Sequence, residues 1–517
     1  MRTAELARAV EAALALLSTQ PHVREAEVFA AASRTLLTRL NYTSHIPCNG
    51  VEEPKSTEMS GLGVQVVFES AAGPLIGFGA EPSDFGETGV RRALDKARRS
   101  AVGDPAFRSL PRPGAETRVL SDYCDPHLFA IDDEQLVAAG WKVIAGGLGA
   151  FTASARLATL AGPDAALPGL GLILGGDVAV RQDSVAIAST HMPRAQTDES
   201  AYITSSVTAM VEAREAKGSG WTTGTRLDEF TDEAGSEAAA NAIAAIDGQR
   251  VPTGDYTVIF GRQPVADLLD NLVLPACHAG AFFASSTPFL GRLGRAVAVP
   301  ELTIYDHGAL PGLVGSRGIT CEGLPTGRTD LIKDGALVGL LSHWYDSQRL
   351  LHDPAVATKL GAAGPSAARA LVPRNGFRHG ANGRSFERRP GTAACNVVVE
   401  SRRPVSLEDL VRAVGNGLYI GRIWYTYPIN GLRAGDFTCT VVGDSFVIRD
   451  GRIAAPIRAN AIRINDNIIR VLASVLGVTK DVKGTMVWGA DEVVYAPELA
   501  VRGVHVDEIV GTPGGFD

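Results

Sequence analysis

Two neighbouring stretches decide the fold of this chain: residues 268–275, which read LLDNLVLP, and residues 287–294, which read TPFLGRLG. The first belongs to a longer apolar run whose spacing predicts a helix over residues 264–274. Pro275 is expected to end or kink that helix, because proline lacks a backbone N–H and its ring collides with the preceding turn. The helix comes first and the glycine-containing run follows it, and this order guides the interpretation of the second half of the chain.

The composition is that of a globular protein with more than one domain. The chain has 517 residues, of which 45% are hydrophobic and 21% are charged. That length exceeds what one hydrophobic core accommodates, so about two to four domains are expected. The formal net charge of −8 gives no general attraction to nucleic acid or to anionic lipid. We therefore expect neither a nucleic acid nor a membrane as a partner.

The chain carries no recognisable targeting or redox motif. No run approaches the roughly 20 apolar residues that cross a bilayer, and the N-terminus lacks the layout of a secretory signal. The expected location is the cytoplasm. No C-x-x-C pair occurs, which excludes a zinc ribbon and a thioredoxin-like motif. In a reducing compartment the six cysteines are expected to be buried thiols, at positions 48, 124, 277, 321, 395 and 439.

The first half of the chain predicts an α+β layer domain. Helical spacing of apolar residues alternates with strand-like segments, and a segment rich in Gly, Pro and Asp at 248–255 is the best boundary, which places this domain at residues 1–247. Glycines at 175–176 predict a hairpin turn within 172–190. The other predicted elements are helices over 6–17, 89–101, 131–146 and 233–245, and strands over 26–32, 35–39, 61–68, 75–79 and 201–213.

The second half, residues 248–517, predicts a mainly antiparallel, barrel-like β domain with few helices. Asp334-Gly335 and Asp450-Gly451 are hairpin turns of the type that needs positive φ. Residues 360–391 are rich in Gly, Ala and Arg and are expected to form a long loop. The predicted strands are 256–260, 302–305, 329–332, 337–341, 396–400, 437–442 and 445–448.

Several blocks of the sequence resemble one known family in their order and spacing. In the first half the block is 58–66 (EMSGLGVQV), with similar hairpin segments at 177–189 and 201–213. In the second half the blocks are 286–294, 303–311, 330–339 and 435–453. Together they resemble the TldD/PmbA (TldD/TldE) metallopeptidase family. The resemblance implies a two-domain TldD/PmbA-type fold of the α+β class.

The resemblance also implies where a metal site would lie. In the peptidase branch, H-E-x-x-x-H precedes a run like 287–294, and the matching positions here hold Asp270, Asn271 and Pro275. The family's third ligand, a cysteine, matches Lys483. An aspartate can bind a metal, but an amide is no base, proline offers no ligand and an ammonium repels a cation. The expected site is degenerate: this chain holds no cofactor, and zinc is expected only in an active partner subunit.

The resemblance to the TldE/PmbA branch, whose members lack the motif, implies a function. The chain is expected to be a non-catalytic subunit that pairs with a zinc-dependent TldD-type peptidase, so that the pair degrades or trims unfolded or leader peptides. A homodimer is the other possible assembly. The alternative is a repurposed, metal-free enzyme, a hydrolase or related, acting on a small peptide-like substrate in a specialised metabolic pathway. A third, weaker interpretation is a peptidase that holds its metal differently.

Two groups of residues are candidates for chemistry of the chain's own. Cys277 and His278 follow the degenerate motif and suggest either a shifted thiol or metal site or a buried cysteine beside a hydrogen-bonded histidine. His343, Tyr345 and Asp346 follow a predicted strand and suggest either an acid–base set or an exposed turn.

Two further groups are candidates for substrate binding. Arg378, His379 and Arg384 belong to a cationic cluster that would clamp a carboxylate, a phosphate or an acidic peptide, or would be a solvated loop. Trp424 and Tyr425 belong to an aromatic segment that would close an interior cleft, or would pack on a sheet.

Overall fold

The first half of the molecule is built on one antiparallel sheet. The computed structural model describes residues 3–46, 49–71, 73–113, 123–162, 167–380 and 383–509. The strand order is β5-β4-β3-β1-β6-β7-β8, with β2 on the end of β1. The strands are β1 (Val23–Thr43), β2 (Gly50–Val51), β3 (Lys55–Phe68), β4 (Leu75–Pro82), β5 (Val102–Gly103), β6 (Leu172–Ser189), β7 (Gln196–Val211) and β8 (Ala216–Gly224).

The central strands are longer than the sequence predicted. The two strands expected within 26–39 are one strand, β1, which pairs with β3 on one side and β6 on the other. The hairpin expected at 175–176 is wrong, because β6 runs straight through it and Gly176 pairs with Val207. A Cβ on Gly176 would lie 2.0 Å from the Ser206 carbonyl oxygen. This glycine therefore serves close approach of two strands, not a turn.

Helices cover one face of this sheet. They are α1 (Thr3–Ser18), α2 (Glu87–Arg99), α3 (Pro126–Ala130), α4 (Asp133–Thr152), α5 (Ala155–Ala161) and α6 (Glu233–Ala244). The acidic start predicted near 132 is confirmed: Asp132 caps α4, with its side chain accepting from the Gln135 N–H at 2.8 Å. Among the described helices none is by itself long and apolar enough to span a membrane; α4 and α5 together pass that test, with a 67° bend between them.

The second half contains two larger sheets and several short helices. Both sheets are mainly antiparallel and curl into a half-barrel, as the sequence predicted. One sheet has the order β12-β11-β10-β17-β26-β25, and the other β19-β20-β23-β27-β9-β18-β21-β22 with β24 beside β27. The strands that form them are β9 (Gly254–Phe260), β10 (Leu302–His307), β11 (Arg328–Lys333), β12 (Ala336–Leu337), β17 (Asn396–Ser401), β18 (Gly417–Ile420), β19 (Arg422–Pro428), β20 (Asp436–Gly443), β21 (Phe446–Arg449), β22 (Arg452–Pro456), β23 (Ile462–Asn467), β24 (Val475–Val478), β25 (Lys483–Thr485), β26 (Val493–Ala496) and β27 (Leu499–Glu508).

The two Asp-Gly turns are confirmed, with φ of 50° and 77° at Asp334 and Gly335 and 49° and 71° at Asp450 and Gly451. The long loop expected over 360–391 is wrong. That region contains helical segments and four two-residue strands that form two small sheets, and its Arg378 and Arg384 are buried partners of the first half. The remaining elements are α7 (Arg262–Leu268), α8 (Leu274–Ala276), α9 (Ala279–Phe283), α10 (Trp344–Leu351), α11 (Val356–Leu360), α12 (Pro365–Ala370), α13 (Leu407–Val414), α14 (Ile468–Ala473), β13 (Gly376–Phe377), β14 (His379–Gly380), β15 (Gly383–Arg384) and β16 (Gly391–Thr392).

The segment that carries β13 to β16 joins the two halves. Its Phe377 and Phe386 pack on Phe29 and Val185, which lie on the sheet face opposite the helices. At the same interface the Arg384 guanidinium, 1% exposed, lies 2.7 Å from an Asp198 oxygen. Buried charges of this kind stabilise an interface only when each is paired, since desolvation of an ion costs several kcal/mol.

We predict that Arg384→Met destabilises the folded protein by about 3–5 kcal/mol, because it leaves Asp183 and Asp198 buried without a cation. The measurement is the urea midpoint of unfolding. Arg412→Met is the control: that arginine is 62% exposed and pairs with surface carboxylates, so its removal should cost at most about 1 kcal/mol. Equal midpoints for the two variants would contradict a stabilising role for the ion pairs of Arg384.

Candidate functional site

The helix that carries the metal-ligand positions is distorted at that place. It begins as α7, widens into a π-helical turn over Leu269–Val273 and ends in α8. Within the turn the Leu274 N–H donates to the Leu269 carbonyl, five residues back. Pro275 has no N–H and would collide with the carbonyl four residues earlier in an α-helix, and the wider turn relieves that collision. The predicted kink is therefore a π-turn, and the helix ends at Ala276, one residue after the proline.

The side chains at these positions are occupied with protein partners. The Asn271 amide donates to the Asp267 carbonyl oxygen at 3.0 Å. Asp270 lies against the buried carboxyl of Glu492, and burial together with this neighbour raises the pKa of Glu492 well above its usual range. Burial also raises the pKa of Asp267 to about 6. Three carboxyls, those of Asp267, Asp270 and Glu492, therefore lie close enough to act on one another.

Lys483, at the position that matches the third ligand, points to the first half of the molecule. Its Nζ lies 2.8 Å from carboxylate oxygens of both Glu233 and Glu237, and 4.7 Å from the centre of the Trp221 ring. Asn271, Pro275 and Lys483 thus offer no donor to a metal. Within the part of the chain that the structure describes, no group of three His, Cys, Asp or Glu side chains is placed to hold one. These residues do not fit the zinc that the fold family implies.

Cys277 and His278 lie in the core directly after α8. Cys277 is fully buried, and burial raises the pKa of its thiol to about 12, so it is not a nucleophile at neutral pH. Cys321, Cys395 and Cys439 are buried as predicted, Cys124 is half-buried, and Cys48 lies outside the described residues. Burial lowers the pKa of His278 to about 4, so its imidazole is neutral. The shifted thiol site therefore has no support, and Cys277 is a buried thiol beside a half-buried histidine.

His343, Tyr345 and Asp346 stand at the start of α10 and not in an exposed turn. The imidazole Nδ1 of His343 lies 2.9 Å from the Thr392 hydroxyl and 3.5 Å from an Asp346 oxygen. Asp346 is also 2.8 Å from Arg349, and its charge acts on His278 as well. The structure thus brings together two candidate groups that are far apart in the sequence.

These residues border a cavity of about 240 Å³ between the two halves of the molecule. The first half contributes strand residues and the segment 104–111, and the second half contributes the start of α10. The Tyr345 hydroxyl donates to Asp104 at 2.7 Å, and the Trp344 indole donates to the Ser109 carbonyl at 2.9 Å. The lining residues are Glu27, Gln65, Ile76, Asp104, Phe107, Ser109, Leu110, Pro111, Glu322, His343, Trp344, Tyr345, Arg389 and Pro390.

Glu322 is the most unusual group in the cavity wall. It is 2% exposed, and both of its carboxyl oxygens face the Trp344 backbone N–H, at 2.9 and 3.2 Å. Burial raises its pKa to about 8, and the nearby charge of Glu27 adds to this. Glu27 itself forms a fully buried ion pair with Arg378.

The cationic cluster of the sequence is neither a free clamp nor a solvated loop. Arg378 binds Glu27 and Arg384 binds Asp198, so their charges are already used inside the protein. His379 is half-buried, with its Nδ1 3.7 Å from Asp491, and burial lowers its pKa. The two arginines therefore bind carboxylates of the protein itself and not those of a ligand.

Trp424 and Tyr425 form part of an exposed aromatic ridge, so the prediction of an interior cleft is wrong. Tyr425 is 68% exposed, with a left-handed φ of 56° that turns its ring outward, and Tyr427 is 54% exposed. Trp488, 85% exposed, lies with its ring centre 6.1 Å from that of Trp424. We call Trp424, Tyr425, Tyr427 and Trp488 the aromatic ridge. Strand β19, which carries most of it, packs on the helix of the degenerate motif.

Sequence reasoning missed Glu322, Glu27, Asp104 and Glu492. Each is an isolated acidic residue in an unremarkable segment, and only the fold brings it to a cavity or to another carboxyl. The one local signal is Gly323, with φ of 72°, which marks a tight turn directly after Glu322.

Comparison with known proteins gives one consistent result. Residues 253–508 match the family described as PmbA/TldA metallopeptidase C-terminal domain. The metalloprotease slr0863 of Synechocystis sp. is 29% identical over 189 residues, which are 37% of this chain and 34% of that protein. The metalloprotease PmbA of Escherichia coli O157:H7 is 30% identical over 116 residues, 22% of this chain and 26% of that protein. The matched segments therefore span about a third or less of these relatives.

The similarity of fold extends over nearly the whole chain. The crystal structure of TldE from Thermococcus kodakarensis superimposes with a TM-score of 0.76 at 17% sequence identity, covering 96% of this chain and 100% of that one.

We predict that the half-buried His278 makes the folding stability depend on pH. In the unfolded chain its pKa is near 6.5 and in the folded protein about 4, so only the unfolded state takes up the proton between these values. Folding stability contributed by the neutral imidazole is present above pH 6.5 and is lost as pH falls towards 4, by about 3 kcal/mol in total. His278→Asn should therefore flatten the fall of the urea midpoint between pH 6.5 and 4.5. A parallel shift of the whole curve would reflect lost packing alone and contradict the assignment.

Proposed function

Because the chain belongs to the TldD/PmbA family, we propose that it is a TldE/PmbA-like, non-catalytic subunit that pairs with a zinc-dependent TldD-type peptidase. In this proposal the partner holds the metal and activates the water, and the pair degrades or trims unfolded or leader peptides. The present chain supplies one wall of the enclosed space in which the peptide is cut. Pairing of two related subunits around a pseudo-two-fold axis is a common way to build such a space.

The observation that carries the proposal is that the side chains at the ligand positions bind other groups of the protein. A catalytic zinc needs three protein donors and an open position for water. Here Lys483 forms ion pairs with Glu233 and Glu237, and the Asn271 amide donates a hydrogen bond to the Asp267 carbonyl. Each of these side chains therefore has a partner within the protein, which supports a role without a metal.

The aromatic ridge supports the pairing part of the proposal. Exposed aromatic side chains in one patch are enriched at protein–protein contacts, where Tyr and Trp contribute a large share of the binding energy. Tyr425 and Trp488 are among the most exposed large apolar side chains of the described residues. They stand beside the helix of the degenerate motif, so a partner seated on the ridge would place its own site next to that helix.

The alternative of an enzyme in its own right is supported by the cavity with His343 and Tyr345. The two functions differ in a simple experiment. The isolated protein, a TldD-type peptidase with an intact H-E-x-x-x-H motif, and the mixture of both are assayed against a disordered peptide with and without a chelator. Cleavage by the mixture that the chelator abolishes favours the subunit role, whereas chelator-resistant turnover by the isolated protein favours the alternative.

We predict that the double variant Asp270→Ala, Asn271→Ala keeps the activity of the reconstituted pair within about twofold. Neither side chain takes part in chemistry under the proposal, and losing the Asp270 carboxylate relieves the repulsion with Glu492. The measurement is the rate of peptide cleavage at saturating amounts of this subunit. A loss of activity of about a hundredfold, equal to about 2.7 kcal/mol of transition-state stabilisation, would contradict the proposal.

We predict that Tyr425→Asn with Trp488→Ser weakens pairing by at least about tenfold, or about 1.4 kcal/mol. Asparagine tolerates the left-handed backbone at position 425, so the fold is kept. Association is measured by sedimentation with the TldD-type partner. Trp141→Ser removes another exposed indole, on the first half of the molecule, and should leave association unchanged. Equal affinities of the two variants would refute a role for the ridge.

A further inference from the structure

The cavity between the two halves has no task in the proposed subunit role, and it has the features of a binding site. It is enclosed by elements of both halves and lined by aromatic, apolar and charged groups. Its volume of about 240 Å³ is below the roughly 300–1,000 Å³ typical of pockets for drug-sized ligands. A small metabolite fits such a space, whereas a peptide substrate does not.

We propose that this cavity binds a free α-amino acid with an apolar side chain, its ammonium group on Glu322 and its carboxylate on Arg389. The two charged ends of such a ligand match two groups of the wall, Glu322 and Arg389, that form no ion pair with the residues that the structure describes. Its side chain would lie against the apolar part of the wall.

The first argument is the state of Glu322. Among the described residues no cation lies within ion-pair distance of its carboxyl, although it is almost fully buried. Its neighbours do not supply one, because Arg378 is paired with Glu27 and Arg349 with Asp346. A buried carboxyl without a counter-ion is costly unless it is protonated or a ligand provides the charge. An ammonium group is the compact donor that does so.

The second argument separates this role from a merely structural one. Glu322 faces the first N–H of α10, as a capping residue would, and His343 offers no side-chain cap of its own. Capping needs only an oxygen acceptor, which glutamine provides equally well. Gly376 leaves space for the carboxyl, since a Cβ there would lie 2.1 Å from its Oε2 atom. An amide of the same size fits that space, so Glu322→Gln removes the charge and keeps the cap.

The third argument is that the rest of the cavity wall offers a guanidinium and an apolar surface. The exposed guanidinium of Arg389 borders the cavity, faces the Phe78 ring with 5.8 Å to its centre, and makes no hydrogen bond or ion pair with the residues that the structure describes. The charge of Asp104 in the same wall acts on it without an ion pair, so its N–H groups remain available to donate to a ligand carboxylate. Ile76, Phe107 and Leu110 supply the apolar surface for a side chain.

The test uses the full chain and isothermal titration calorimetry with L-leucine as the probe. Two analogues isolate the two ends: 3-methylbutylamine lacks the carboxylate, and 4-methylpentanoic acid lacks the ammonium. We expect leucine to bind and each analogue to bind at least about tenfold more weakly. Absence of leucine binding up to about 10 mM would overturn the proposal. Equal binding of the acid would remove the role of Glu322, and equal binding of the amine would remove the role of Arg389.

The matched variants are Glu322→Gln and Glu387→Gln. Glu387 is an exposed carboxyl close to Arg389 in the sequence that does not line the cavity. Glu322→Gln should keep the thermal midpoint, because the cap remains, and should lose at least about tenfold in leucine affinity, whereas Glu387→Gln should bind leucine as the natural protein does. A folded Glu322→Gln variant with unchanged affinity would overturn the proposal.

A second readout is proton release. Below about pH 8 the free Glu322 is protonated and must ionise to accept an ammonium, so binding should release close to one proton at pH 7 and affinity should rise from pH 6 to pH 8. Glu27, Arg378, Asp346 and His343 are the charged or titratable groups that face it, and their contribution remains in Glu322→Gln. Titrations in two buffers of different ionisation enthalpy measure the proton. Binding without proton release in the natural protein would overturn the assignment to Glu322.

Discussion

Two buried arginines hold the molecule together, and most of the arrangement follows from them. Arg378 and Arg384 lie on one short segment of the second half and reach carboxylates on strands of the first half. Each guanidinium is 1% exposed, so each pair forms only if water is excluded and the geometry is nearly fixed. The apolar contact of Phe377 and Phe386 with the sheet excludes that water. Charge pairing and burial therefore depend on each other at this interface.

The cavity is a consequence of the same contact. The segment that carries the two arginines also contains Gly376, which makes room for Glu322, and continues to Arg389 at the edge of the cavity. Arg378 binds Glu27 and so leaves Glu322 as the carboxyl without a cation. A change that loosens the segment would be expected to alter the shape and the charge of the cavity together.

The sequence predicted what local patterns determine. The helix 264–274, the antiparallel pairing of the second half and the two Asp-Gly turns depend on apolar periodicity and backbone conformation, which a few adjacent residues specify. Prediction from the sequence was wrong where one residue type can have two different structural roles. Gly176 permits close packing of strands, whereas the sequence predicts a turn there. Arg378 and Arg384 pair with carboxylates inside the protein, whereas the sequence predicts a ligand clamp or a solvated loop. Glu322 and Glu27 could not be joined, since no pattern connects residues so far apart before the sheets are assembled.

The side chains at the positions that match the family's metal ligands contact other charged groups of the protein. A buried site that loses its ion leaves donors without a charge to bind, and an uncompensated buried charge costs several kcal/mol. Here burial and the neighbouring Asp270 raise the pKa of Glu492, which favours its uncharged form. Lys483 brings a positive charge that pairs with Glu233 and Glu237 of the first half. Restoring a zinc site would require more than new ligands at Asp270, Asn271 and Pro275, because removing Lys483 would leave Glu233 and Glu237 without their cation at the contact between the halves. The contacts of Lys483 at the matching ligand position therefore also help to join the two halves of the molecule.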